Sequence, residues 1–107
     1  MSGEQSLQRE KSLSWQHARL MHVRLEALEV ELRLDALEQQ VKALETAAEK
    51  RQISSIEQAH LSQKIERLAQ LRTTRLSLHQ EQVRLTQSIR SLTLKHLFQK
   101  ARSFVDV

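Results

Sequence analysis

Few side chains in this sequence have the type and spacing for chemistry. Its five histidines are His17, His22, His60, His79 and His96, and no two stand four apart, the separation that lets a histidine pair ligate one ion from a helix face. Glu57 and His60 stand three apart, which is one of the two Glu-x-x-His turns of a dinuclear carboxylate bundle. Such a bundle needs a second Glu-x-x-His turn and two further inward glutamates, and Glu57-Gln58-Ala59-His60 has no counterpart elsewhere. Cysteine is absent, so there is no thiolate nucleophile, thiolate metal ligand or disulfide. Serine and threonine are plentiful, yet a chain of long helices offers no concave pocket in which a base could activate them. The expectation is a non-enzyme with no catalytic residue, no metal, no cofactor and no small-molecule substrate.

The elements that would have to position such groups are helices throughout. Over 107 residues there is one glycine, Gly3, and no proline, so nothing from Glu4 onward breaks a helix strongly. Leucine, glutamine, glutamate and arginine dominate, and aromatic residues are 3% of the chain. Narrow apolar stripes can be made from such a composition, but not the bulk of a globular interior. The fold class expected is therefore all-α, long amphipathic helices in a coiled-coil hairpin or rod that forms part of a multi-helix bundle.

Between Leu20 and Ala48 the apolar residues fall at alternating threes and fours: Leu20, Val23, Ala27, Val30, Leu34, Leu37, Val41, Leu44 and Ala48. That period is a helical seam made to lie against another helix. A second stripe, Met21, Leu25, Leu28 and Leu32, lies about 140° around the same helix. A helix apolar on two sides needs two neighbours, because each leucine left in water forfeits about 1.5–3 kcal/mol of burial. A bundle of three or more helices is expected over residues 20–37.

The pattern weakens at Glu49–Ser54. Ser54-Ser55-Ile56-Glu57 then has the spacing of a capping box, a helix-start signature, which favours a hairpin turn over one uninterrupted rod. The organisation expected is a flexible segment over 1–12, helix 13–50, a turn at 51–54, helix 55–103 and a tail at 104–107. At the first helix start Ser12 and Ser14 are both candidate caps, and neither has Glu or Gln three residues on. In the second helix Leu71, Leu78, Leu85 and Leu92 recur at sevens. The facing positions Leu68, Arg75, Gln82, Ile89 and His96 include polar layers of the kind that set register and partner choice. Leu61, Ile65, Leu76, Val83, Leu94 and Leu97 form a second flank, and Phe98, Phe104, Val105 and Val107 near the end read equally as a segment that docks on a partner or as a loosely packed terminus.

Charge is uneven along the chain. Residues 26–49 set Glu26, Glu29, Glu31, Asp35, Glu38, Glu45 and Glu49 against Arg33 and Lys42, a net of −5, whereas residues 61–107 carry a net of +6. Antiparallel pairing brings the acidic block against Lys64, Arg67, Arg72 and Arg75, so it is the arrangement expected, by a margin that salt screens. Lys50, Arg51, Lys64 and Arg67 are too sparse for a DNA-reading basic helix, and there is no aromatic platform for bases, so a basic coiled-coil nucleic-acid binder is only the third reading. No membrane contact is expected, since no apolar leader or span is seen and the basic Leu13–Leu25 segment with Trp15 merges into the seam. A cytoplasmic protein, or alternatively a nuclear one, is the default.

The expected partners are other helical subunits, in a heteromeric bundle rather than as a monomer. The expected function is a structural or adaptor subunit that builds or tethers a multi-protein complex. The alternative is a small helical chaperone or regulator, of the export-apparatus type, holding a helical partner. The residues expected to carry partner contacts are Leu20, Val23, Val30, Leu34, Leu37, Val41 and Leu44 of the seam, and Met21, Leu25, Leu28 and Leu32 of the second stripe. In the second half they are Leu68, Leu71, Leu78, Leu85, Ile89 and Leu92, with Phe98 and Phe104.

Overall fold

A computed structural model describes residues 12–105, with side chains through residue 103. Two helices account for nearly all of it: α1, Leu13–Lys50, and α2, Ser55–Val105. No strand occurs among the described residues. The flexible segment expected ahead of Ser12 and the last two residues of the expected tail lie outside the described residues. Helix α2 continues through residues 104 and 105, where a tail was expected, because the last residues before it, Gln99 to Ser103, include no glycine or proline to stop it.

Both helix starts are capped. Ser12, rather than Ser14, caps α1, its Oγ accepting the Trp15 amide at 3.2 Å. At α2 the capping box forms in both directions. The Ser54 Oγ accepts the Glu57 amide at 3.2 Å, and the Ser54 amide reaches Glu57 Oε1 at 3.4 Å. Orphan amides at a helix start are thereby satisfied. Within the helices, Thr46, Thr73, Thr74, Thr86, Thr93 and Ser103 each donate their hydroxyl to the carbonyl four residues back. This is how polar residues poorly suited to helices are carried without breaking them.

Packing divides the chain into two units. The turn unit is Glu26–Leu78. Within it the end of α1 and the start of α2 run antiparallel, joined at residues 51–54, so the hairpin and not the single rod is the structure here. Its core is Val30, Leu34 and Val41 from α1 with Leu68, Leu71 and Leu78 from α2. Two ion pairs cross between the helices, Glu38 to Arg72 at 3.5 Å and Glu31 to Arg75 at 3.6 Å. The later α1 residue meets the earlier α2 residue, which is the antiparallel register.

The described parts of the other unit are residues 12–25 and 79–105. Leu20, Val23 and Leu85 are its buried apolar residues, joined by Gln16, and Val23 is 0% exposed. Arg19 and Glu81 tie the two helices at 2.8 Å in a half-buried, charge-assisted hydrogen bond, the stronger kind of ion contact.

Candidate interaction surface

The residues expected to carry partner contacts divide sharply by burial. Leu20, Val23, Val30, Leu34, Val41, Leu68, Leu71, Leu78 and Leu85 are buried, and Leu37, Leu44, Ile89 and Leu92 are half-buried. In this structure the seam of α1 and the leucine row of α2 therefore cover each other. Two of the polar layers are relieved outward: Arg75 and His96 are exposed, and Arg75 is spent on Glu31.

The second stripe is different. Met21 and Leu25 in one unit, and Leu28 and Leu32 in the other, are 59–65% exposed. They lie on α1 away from the seam, so closing the hairpin leaves them in water. On α2 the flank residues Ile65, Leu76, Val83, Leu94 and Leu97 are exposed as well, together with Phe98. Exposed leucines are common singly, but a run of them at helical spacing is a feature of interaction faces. The side chain of Phe104 lies outside the described residues.

Of the potentially chemical groups, Glu57 has a structural duty. The Glu57 carboxylate, one half of the metal-like turn, accepts hydrogen bonds from Arg51 Nη2 and Nη1, at 3.0 and 3.3 Å, as well as from Ser54. The hydrogen bond from Arg51, reinforced by the Ser54 amide, holds Glu57 below the usual carboxylate range, and the same pair raises Arg51. His60 is exposed. Among the described residues no group of three histidines and carboxylates is placed to hold a metal ion, and no helix is long and apolar enough to cross a membrane.

Among the described residues an open groove lies in each unit. In the turn unit a groove of about 330 Å³ is lined by Val41, Ile65 and Leu68, and its rim holds both signs of charge, Glu38 and Glu45 with Lys42 and Arg72. In the other unit a groove of about 510 Å³ is lined by buried Leu20, half-buried Thr86 and Ile89, and exposed His17, Arg24, Arg90, Thr93 and Leu94. The described part of that unit holds Arg19, Arg24, Arg84, Arg90, Lys95, Lys100 and Arg102 against Glu81 alone. Sequence reasoning missed this groove. Its available signal was the seven-residue spacing of Thr86 and Thr93, each one position past a leucine of the α2 row.

Comparison of the chain with protein-family models, with curated proteins and with solved structures finds no match.

Proposed function

We propose that this protein is a non-enzymatic structural or adaptor subunit of a cytoplasmic complex, which it joins through helix-to-helix association at the apolar faces its own hairpin does not cover. One observation carries the reading: Met21, Leu25, Leu28 and Leu32 stay 59–65% exposed after the seam beside them has been filled. Four such side chains in water, each worth about 1.5–3 kcal/mol when fully buried, are a standing driving force for covering by another helix. The helical content, the capped turn and the filled seam support a scaffold whose shape is made first and whose outer faces are then used.

The test is the light-scattering mass of the purified chain, with circular dichroism on the same sample, for the natural sequence and for Leu28→Glu. A discrete oligomer that reverts to the mass of one chain in Leu28→Glu, at unchanged helicity, supports a self-assembling subunit. A polydisperse and loosely helical chain supports a strand of a heteromeric bundle that needs its partner for order. A cooperatively melting monomer at every concentration excludes self-assembly, and the reading is overturned if the natural chain and Leu28→Glu then crosslink to the same proteins to the same extent, because the outer stripe would make no partner contact.

A further inference from the structure

We propose that the groove over Leu20 and Ile89 is a docking site for an acidic amphipathic helix of a partner protein; this rests on the reading that the protein works by helix association, and names the chemistry of one partner. The groove has about 510 Å³ of open space. Leu20 at its base is buried, Thr86 and Ile89 are half-buried, and Leu94 at its edge is 53% exposed. The groove is thus largely apolar, open and only partly covered by the hairpin, which suits it to a row of leucines on another helix.

Charge selects the occupant. Arg24 and Arg90 stand on the rim and are exposed, and neither forms an ion pair among the described residues. Their helix neighbours three and four residues away, Leu20, Met21, Ala27 and Leu28 for the first and Thr86, Gln87, Thr93 and Leu94 for the second, carry no charge. The unit's one described carboxylate, Glu81, is held by Arg19 at 2.8 Å. The groove of the turn unit is the contrast, since its Glu38 and Arg72 already meet at 3.5 Å. A helix with leucines at threes and fours flanked by glutamates would fill the floor and answer both arginines, whereas a basic helix would meet like charge.

A second copy of this chain is a poorer occupant. The carboxylates of its acidic stretch are partly spent, Glu29 on Arg33, Glu31 on Arg75 and Glu38 on Arg72. A flat anionic lipid surface matches the cations but cannot reach a buried leucine at the base of a groove.

The test uses the full chain and a labelled synthetic peptide with leucines at 3-4 spacing and flanking glutamates, read by fluorescence anisotropy. Controls are the same peptide with lysines for glutamates, and vesicles containing phosphatidylserine. The expected result is saturable binding of the acidic peptide that weakens with added salt, falls by about tenfold in Arg24→Glu/Arg90→Glu, and is absent for the lysine peptide. Both arginines are exposed, so circular dichroism of the double variant should match the natural chain. Equal binding by the double variant, or by the lysine peptide, overturns the assignment. So does vesicle binding without peptide binding, which would identify a lipid surface, or self-association abolished by the double variant, which would identify a second copy. Should Leu28→Glu break an assembly while the acidic peptide fails to bind, the groove assignment falls and helix association stands.

Discussion

Leucine 34 and leucine 28 are both on α1 in the turn unit, and replacing each with alanine tests whether the hairpin is the packing unit. Leu34 is 1% exposed and Leu28 is 59% exposed. Leu34→Ala removes a fully buried side chain and leaves a cavity. Such changes cost about 2–5 kcal/mol in well-packed cores, and a two-helix core, free to close partly over the gap, belongs near 2–3 kcal/mol. Leu28→Ala removes a side chain already more than half in water, so the burial lost is about 1 kcal/mol or less, and alanine's better helix propensity offsets part of it. The assay is urea unfolding of dilute protein followed by far-UV circular dichroism, comparing midpoints at constant slope. The expected outcome is a clear downward midpoint shift for Leu34→Ala and almost none for Leu28→Ala. Equal losses for the two would refute the reasoning, because the outer stripe would then be buried in the folded chain itself.

Other outcomes follow from particular contacts. Ser54→Ala removes the cap of α2 and should cost about 1 kcal/mol, read as a lower urea midpoint with helicity retained at low denaturant. Glu57 has its pKa lowered in the folded state by Arg51 and the Ser54 amide, so its contribution is present above the ordinary glutamate pKa and is lost as pH falls through the depressed folded value. Thermal melts taken down through the acid range should therefore show a loss that Glu57→Gln removes, and an unchanged acid slope in that variant would refute the role. The exposed pairs Glu31–Arg75 and Glu38–Arg72 should each give a coupling under about 1 kcal/mol in a double-mutant cycle, shrinking with salt. Arg19–Glu81, shorter and half-buried, should give a larger coupling than either, and a value equal to theirs would count against its role as the tie of its unit.

Helix type, the turn and its cap were legible in residue order, because each depends on neighbours within a few positions. Ser54 and Glu57 meet across three residues whatever the rest of the chain does, and the absence of glycine and proline after Gly3 leaves no local reason for α2 to stop. The two stripes of α1 were legible too, since residues at threes and fours share a face by helix geometry alone. Harder to read was which stripe the chain would cover for itself. That choice depends on α2 presenting Leu68, Leu71, Leu78 and Leu85 to one side of α1, and on contacts such as Arg19 with Glu81, 62 positions apart in sequence. Arg75 shows the same limit, since its heptad position suggested a polar core layer and its long side chain instead turns out to Glu31.

The sequence by itself thus determined that the chain is helical, where it turns and that α1 has two apolar sides. All three are consequences of local backbone geometry and side-chain period. Tertiary structure alone decided that the first side is spent within the hairpin and the second left to water. It also decided that one groove has Glu38 and Arg72 paired across it while Arg24 and Arg90 beside another form no ion pair among the described residues, because burial and charge neutralisation depend on which distant segments come together.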